Sequence, residues 1–301
     1  MAVQNRKVVI FDASFIPRGF SISHINATHR NWTAVGHPDL SAYPVIDPRG
    51  LVTPLFDSWS VDTWVLSDNG ELLLPSRLKD VSQSLEMDDD IAVVTKSRQG
   101  SLELETRSAV VFDDVDQAFL QTDVAALCPE TPGWIVVSIR PYNPEGIQFI
   151  DQLACVDGQR KIQVNDLQAV EFEKEPQKVL FSTYEEGDVA FDLNRPPDRE
   201  NQVDCPIGMA TAAAFFPIDP SKHTRIRYKV GLNQTPAVRK GRTPTPVRSY
   251  RDVIDETAKL LVPDPHYQFL YDAAVRTLLL LTAEGYRKSG TNVLWTAMWN
   301  V

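Results

Sequence analysis

The fold is decided by the stretch Val61-Asp62-Thr63-Trp64-Val65-Leu66-Ser67-Asp68-Asn69-Gly70-Glu71-Leu72-Leu73-Leu74. Its first half alternates, so that Val61, Thr63 and Val65 fall on one side of an extended chain and their neighbours on the other. Asn69-Gly70 then separates two apolar runs, and this dipeptide favours a β-hairpin because both residue types tolerate a positive φ. The stretch therefore predicts two antiparallel strands joined by a tight turn.

The same kind of pattern recurs along the chain up to residue 232. Residues 224–230 alternate apolar with mostly basic side chains, and residues 102–105 alternate leucine with glutamate. Residues 91–96 and 102–105 flank Arg98-Gln99-Gly100, which predicts a second hairpin. Further strands are predicted at residues 8–11, 20–25, 109–112, 134–140, 148–153, 161–164, 179–182, 189–191 and 210–216. So many short strands without helical crossovers predict a mainly β fold, a large antiparallel two-sheet sandwich.

The chain changes character near residue 233. Residues 233–248 contain three prolines and four basic residues but no acid, which predicts an extended, solvent-facing linker. We therefore divide the chain into a β domain at residues 1–232, a basic proline-containing linker at 233–248 and a helical segment at 249–301.

Two helices are predicted after the linker. Ser249 begins a helix that runs to about residue 261, with Asp252 in its first turn as a capping box. Asp264-Pro265 supplies an N-cap and a first helical residue for a second helix, which covers residues 267–284 and is closed by Gly285.

The second predicted helix is apolar on almost every side. It carries one stripe of Leu270, Ala274, Leu278 and Leu281, a second of Tyr271, Val275 and Leu279, and a polar side marked by Asp272, Arg276 and Glu284. A helix of this kind needs neighbours that surround it, and no further helices are predicted to do so. We expect that the β part is complete and that the helical part has only begun, continuing into an apolar, aromatic tail at residues 292–301.

Composition narrows the class of protein. A formal net charge of -10 over 301 residues argues against a nucleic-acid-binding protein, which would carry a basic face. No run approaches the ~20 apolar residues of a membrane span, and the start of the chain lacks an export signal, so we expect a cytoplasmic protein without a membrane partner. Cys128, Cys155 and Cys205 are widely spaced, which predicts buried reduced thiols and neither a disulfide framework nor a zinc site.

The usual catalytic signatures are missing from the chain. There is no phosphate-binding loop, GxGxxG, GxSxG or HExxH motif. His24 and His29 do not share one side of a strand or of a helix, which argues against a metal site formed by this pair. The acidic run Asp88-Asp89-Asp90 predicts a solvent-exposed turn. Glu185-Glu186 and Asp113-Asp114 sit at strand ends, where a glycosidase could place a carboxylate pair, but nothing shows which acids converge. We predict no catalytic residue, no metal and no cofactor in this chain.

Three tryptophans are candidates for contact with carbohydrate. Trp59 and Trp64 flank the strand at residues 60–66, with Trp32 upstream. Since Trp59 and Trp64 are an odd number of residues apart, they face opposite sides of one strand, and we expect one in the core and the other exposed. An exposed indole stacks on the C–H face of a sugar ring, whereas packing between sheets is the alternative.

Three stretches carry a resemblance to one enzyme family. They are Asp57-Ser58-Trp59-Ser60-Val61-Asp62-Thr63-Trp64-Val65, Ile139-Arg140-Pro141-Tyr142-Asn143-Pro144-Glu145-Gly146 and Val262-Pro263-Asp264-Pro265. Together with the order of sandwich, linker, helix and apolar helix, they resemble the N-terminal part of glucoamylase-like and amylo-α-1,6-glucosidase-like glycoside hydrolases. In that family a large sandwich, the supersandwich, precedes an (α/α)6 barrel.

The resemblance implies a non-catalytic domain. The acid and base of the family lie in the barrel, so no catalytic residue is carried over to this chain. The resemblance thus implies the N-terminal domain of an enzyme that acts on α-glucan-type oligosaccharides, which reach it through the barrel. Two alternatives stay open: a stand-alone carbohydrate-binding or scaffold sandwich, and an enzyme whose site lies on the sandwich itself.

The apolar C-terminal segment has a consequence for assembly. Without a barrel, its large side chains lose their cover; they are Tyr271, Val275, Leu278, Leu281, Trp295 and Trp299. An apolar patch of this size on a soluble monomer usually contacts a partner. We therefore expect self-association through this segment, in which one copy exchanges it with another.

Overall fold

Two large antiparallel β-sheets, a small two-stranded hairpin and two α-helices that follow them in sequence dominate the described part of the protein. The computed structural model describes residues 32–37, 40, 43–55, 58–87, 90–144, 146–166, 168–198, 200–232 and 250–281. Its strands are β1 (Thr33–Ala34), β2 (Val45–Ile46), β3 (Val52–Thr53), β4 (Ser60–Ser67), β5 (Leu72–Leu73), β6 (Val81–Glu86), β7 (Ala92–Gln99), β8 (Leu102–Phe112), β9 (Ala118–Leu127), β10 (Gly133–Arg140), β11 (Tyr142–Asn143), β12 (Gly146–Ile147), β13 (Gln152–Val156), β14 (Lys161–Val164), β15 (Gln168–Phe172), β16 (Lys178–Ser182), β17 (Gln202–Asp204), β18 (Thr211–Ile218) and β19 (Thr224–Gly231). The mainly β, two-sheet fold class predicted from the sequence is confirmed.

The strands divide into two large sheets and one small hairpin. The eight-stranded sheet has the order β1-β2-β3-β4-β10-β18-β16, with β5 paired to β4. The nine-stranded sheet has the order β17-β13-β14-β15-β19-β9-β8-β7-β6, and β11 pairs with β12. The long central strands β4, β10 and β18 pair antiparallel. Antiparallel neighbours do not need the helical crossover connections that parallel strands usually require.

The stretch that decides the fold behaves as its alternation predicts. β4 pairs antiparallel with β5, with Val65 opposite Leu73, and the turn between them places Gly70 at a φ of 89°. The second predicted hairpin is present as well, since β7 pairs with β8 across a turn that contains Gly100 at a φ of 58°. Glycine suits both turns because it lacks the Cβ that makes this backbone region costly.

The main core lies between the two sheets. Val61 and Val65 of β4 contribute to it together with Ile135 of β10 and Leu104 and Leu120 of the opposite sheet. Full burial of one such aliphatic side chain contributes about 1.5–3 kcal/mol, so this layer is the principal source of stability.

A second apolar cluster covers the other face of the eight-stranded sheet. It holds Trp64 and Leu66 of β4, Val136 of β10 and Phe215 of β18. Val189 packs on it from a short 3₁₀ turn, Val189–Phe191. Because of this second layer, β4 and β10 are buried on both faces at one end of the sandwich.

Two predicted strands differ from the structure. Residues 189–191 form the 3₁₀ turn instead of a strand, because the Asp188 carboxylate accepts a hydrogen bond from the Ala190 N–H at 2.9 Å and caps the turn. The strand predicted at residues 148–153 is shifted to β13, and only Ile150 of the preceding segment bridges to Met209. The strands predicted at residues 8–11 and 20–25 lie outside the described residues.

The first helix, α1, is shorter than its sequence predicts. It covers Tyr250–Asp255, and Tyr250 is buried in the main core. The Thr257 hydroxyl donates to the Ile254 carbonyl at 2.7 Å and the Thr257 N–H donates to the same oxygen, so the helix closes well before residue 261. The linker at 233–248 lies outside the described residues, so the domain boundaries stay a prediction.

The second helix, α2, covers Pro265–Leu281. Its predicted start is confirmed, since the Asp264 carboxylate accepts from the His266 N–H at 2.8 Å. Arg276, on the polar side of α2, is 8% exposed and donates to the Met87 carbonyl at 2.6 Å, while Leu278, in the first apolar stripe, is 53% exposed. Leu280 enters the main core beside Gly36. Within the described ranges, neither helix is long and apolar enough to cross a membrane.

Candidate functional site

A pocket of about 410 Å³ opens at one end of the eight-stranded sheet. The register of β10, β18 and β16 places Ile139 opposite Ala212 and Ser182 opposite Thr211, so the segments after β10 and β16 and before β18 meet at the same edge. The described lining residues are Pro141, Tyr142, Ile147, Phe149, Tyr184, Gly187, Asp188, Ile207, Met209 and Thr211. Binding sites are often formed by loops that meet where several strands of a sheet end, since the rigid sheet holds these loops in place.

A buried ion pair lies under this pocket. Arg140, at the end of β10, is fully buried, and its Nη2 donates to the Asp188 carboxylate. Its Nη1 donates to the Ser138 hydroxyl at 3.2 Å, and its Nε donates to the Tyr142 hydroxyl at 3.3 Å. These partners satisfy a charge that would otherwise be very costly in the interior.

Electrostatics hold Arg140 charged in spite of its burial. Burial by itself lowers the pKa of the Arg140 guanidinium, but Asp188, Tyr142 and Asp62 together raise that pKa above its ordinary value. The guanidinium also lies over two aromatic rings, 5.2 Å from the centroid of Trp64 and 5.3 Å from that of Tyr142. Cation–π contacts of this kind are strongest where water is excluded.

Two of the stretches that carry the family resemblance meet here. β4 pairs with β10 so that Ser60 lies opposite Arg140, and the Ser60 hydroxyl donates to the Tyr142 carbonyl. Asn143 is buried; its side-chain amide donates to the Ser58 carbonyl at 3.1 Å and accepts from the Gly146 N–H at 3.1 Å. These hydrogen bonds fix the loop after β10 to the beginning of β4.

Phe149 forms a rigid aromatic surface at the rim of the pocket. Its side chain is 64% exposed, while its carbonyl accepts from the Asn165 side-chain amide at 2.9 Å. Its ring rests on Gly208, where an added Cβ would lie 2.5 Å from the Phe149 Cδ1 atom. Gly208 has a φ of 76°, so both its backbone and the neighbouring ring require glycine.

Sequence reasoning singled out residues 139–146 only for their family resemblance and predicted no pocket there, because the other members of the site are far away in the chain. Arg140 does give a signal, as it is a charge at the end of the apolar strand Trp134-Ile135-Val136-Val137-Ser138-Ile139. Asp188, Phe149 and Tyr184 give none, since nothing local distinguishes them from other loop residues.

The three tryptophan candidates occupy different environments. Trp59 is 6% exposed in the core between the sheets, and Trp64 is 1% exposed in the cluster on the other face, under Arg140. Their placement on opposite sides is confirmed, but the expectation that one of them is exposed is wrong, because Val189, Ala190 and Leu193 pack with Trp64 on the outer face. Trp32 is partly buried against Tyr43 and Val45. Their contact with carbohydrate stays a prediction.

The acidic pairs named from the sequence take part in turns. The Asp113 carboxylate accepts from the Val115 and Gln117 N–H groups at 3.0 and 2.8 Å, and Glu186 accepts from the Thr183 N–H at 3.2 Å. Among the described residues, no group of three or more His, Cys, Asp or Glu side chains could hold a metal ion. His24, His29 and Asp88-Asp89 lie outside those residues.

A second cavity, of about 660 Å³, is an open groove on the outer face of the nine-stranded sheet. Two of the four Lys and Arg side chains that line it are paired with acids across the strands: Lys96 with Glu105 at 2.9 Å and Arg98 with Glu103 at 3.7 Å. These are solvated surface pairs that contribute little individually. The lining as a whole carries four Lys or Arg and three Asp or Glu side chains, so the groove offers no concentrated charge to a ligand.

No family model and no curated protein matches the chain. The chain is similar to a bacterial glucoamylase. That solved structure is a complex with acarbose; it is 12% identical, with a TM-score of 0.47, and the match covers 69% of this chain and 33% of the glucoamylase. A putative kojibiose phosphorylase from the human microbiome is 6% identical, with a TM-score of 0.32, over 69% of this chain and 27% of the phosphorylase. This chain therefore spans about a third or less of the length of either protein.

Proposed function

We propose that this chain is the non-catalytic β-sandwich domain of a glucan-active glycoside hydrolase, and that a helical catalytic unit packs on α2. The observation that carries the proposal is the orientation of α2. Arg276 faces the sandwich, whereas Leu270 and Leu278 are 47% and 53% exposed.

This orientation is unusual for a surface helix. A helix that packs on one neighbour alone buries its apolar stripe and exposes its charges. In α2 the predicted stripe of Leu270, Ala274 and Leu278 is exposed, while the opposite side, with Leu280, contacts the sandwich. Such a helix suits a position between two layers, the sandwich on one side and further helices on the other.

The sequence resemblance points in the same direction. Two of the stretches that resemble glucoamylase-like enzymes meet where β4 pairs with β10, with Ser60 opposite Arg140 and Val61 opposite Ile139, and residues 262–265 lead into α2. In those enzymes an (α/α)6 barrel that carries the acid and the base follows the sandwich. We assign this chain the supporting role and the barrel the chemistry.

A second candidate function is a stand-alone carbohydrate-binding sandwich. The exposed Phe149 ring at the pocket rim favours it, because an aromatic face is the typical contact surface for a sugar. Under this alternative α2 would cover its stripe by self-association with a second copy.

The reading frame downstream of Val301 tests the proposal. We expect it to continue into a series of paired amphipathic helices, and a stop codon directly after Val301 would refute the assignment. A second measurement tests the non-catalytic role: the release of glucose from maltooligosaccharides by the 301-residue chain alone. We expect none, and turnover by this chain would instead favour an active site on the sandwich.

A further inference from the structure

We propose that the pocket above Arg140, between Phe149 and Tyr184, binds one glucosyl unit of an α-glucan as a non-catalytic subsite. The choice of an α-glucan rests on the proposed function, whereas the choice of a neutral sugar rests on the pocket itself. Its volume of about 410 Å³ falls in the ordinary range of small-ligand sites, and it is mostly apolar with a few polar groups.

The first argument is that contacts with the backbone hold the exposed Phe149 ring in a fixed position at the rim of the pocket. A phenylalanine ring that is 64% exposed is unfavourable in water, yet Phe149 is held from two sides, by Asn165 through its carbonyl and by Gly208 behind its ring. The loop of Gly208 is itself tied down, because the Ile150 N–H donates to the Gly208 carbonyl at 2.8 Å. One face of the ring is therefore supported by backbone and the other is open to a ligand.

The second argument is the polar edge. Tyr184 comes from the loop after β16, and its hydroxyl makes no hydrogen bond to any described residue. Thr211, at the start of β18, accepts from the Val189 N–H at 3.1 Å and keeps its own hydroxyl hydrogen to donate. A sugar ring offers both an apolar C–H face for the aromatic rim and hydroxyls for these groups.

The third argument is charge. Asp188 is the charged member of the described lining, and the buried guanidinium of Arg140 neutralises it. An ionic ligand would therefore meet no net counter-charge in the pocket. The Asp188 carboxylate is also engaged by the Ala190 N–H, so the floor is fixed before a ligand arrives. These features select a neutral ring with hydroxyl groups.

Two experiments test the subsite. Native gel electrophoresis in gels that contain soluble amylopectin detects binding as retardation of the protein, and isothermal titration calorimetry with maltotriose measures its affinity. We expect the wild-type chain to be retarded, and Phe149→Ala and Tyr184→Ala each to weaken binding by about five- to tenfold, because each removes one aromatic contact. Phe149→Tyr keeps the ring and is expected to restore binding. Tyr267→Ala, which removes a 62% exposed ring from α2, is the matched control and should bind as the wild type does.

Several outcomes overturn the subsite. They are no retardation of the wild-type chain, retention of full binding in both alanine variants, or equal loss in the Tyr267→Ala control. Thermal melts of each variant identify a loss that comes from unfolding, and Tyr184→Ala decides the case if Phe149→Ala does not fold. The failures of the two proposals are distinct: absent binding leaves the role assigned to α2 untouched, whereas a stop codon after Val301 leaves the binding result untouched.

Discussion

Arg140 places a positive charge where no solvent reaches it, and its partners make that position possible. If Arg140→Ala removes the guanidinium, the Asp188 carboxylate remains buried without its counter-charge. We expect a loss of about 3–5 kcal/mol in the free energy of unfolding, as for other broken buried pairs. Urea denaturation measures it.

A matched control uses an exposed ion pair. Arg107 contacts Glu86 at 2.7 Å, and both side chains are more than 40% exposed. Because solvent screens this pair, Arg107→Ala should cost about 1 kcal/mol or less. If both variants lost the same free energy of unfolding, burial would not be what determines the contribution of Arg140 to stability.

Cys155 provides a prediction that depends on pH. Burial raises the pKa of its thiol to about 11. Since the reactive form is the thiolate, the reaction of the folded chain with iodoacetamide at pH 8 should be about a hundredfold slower at Cys155 than in the urea-unfolded chain. The rate should increase steeply as the pH rises towards 11, and mass spectrometry of the labelled peptide measures it. Comparable rates in the folded and unfolded chains at pH 8 would contradict the shift.

At the scale of elements, two glycines of similar backbone conformation have different roles. Gly70 has a φ of 89° with open space around its missing Cβ, whereas Gly208 has a φ of 76° and supports the Phe149 ring. The left-handed backbone alone should make alanine cost about 1–2 kcal/mol of stability at either position, and at Gly208 the contact with the Phe149 ring adds to that cost.

Only one of the two variants should affect the pocket. Gly208→Ala displaces the Phe149 ring and should weaken amylopectin binding, while Gly70→Ala, in the β4–β5 turn, should leave it unchanged. Native affinity gels and urea denaturation of the two proteins separate the effects. Unchanged binding by a folded Gly208→Ala protein would argue against Phe149 as the contact surface.

At the scale of the whole molecule, the exposed stripe of α2 predicts assembly. Leu270→Glu with Leu278→Glu places charge on residues that are about half exposed, so the stability of the fold should change by about 0.5 kcal/mol or less per site. Self-association, followed by sedimentation velocity over a range of concentrations, should be strongly reduced. A wild-type chain that stays monomeric at high concentration would contradict the expectation.

Sequence alone determined the fold class and its two best-defined hairpins. Alternation at residues 61–66 and 102–105 and the turns at Gly70 and Gly100 are local signals, because side-chain direction and turn conformation depend on neighbours in the chain. The same locality explains why Asp264-Pro265 marked the start of α2 correctly.

Only the tertiary structure decided what contacts what. Trp64 was expected to reach solvent if Trp59 did not, but a distant segment around Val189 covers it. The polar side of α2 turned inward because Arg276 meets the Met87 carbonyl, and the pocket arose because β10, β16 and β18 end at one edge of a sheet. These contacts join residues tens to hundreds of positions apart. The chain's periodicity carries no information about such pairs, since their proximity is created by packing.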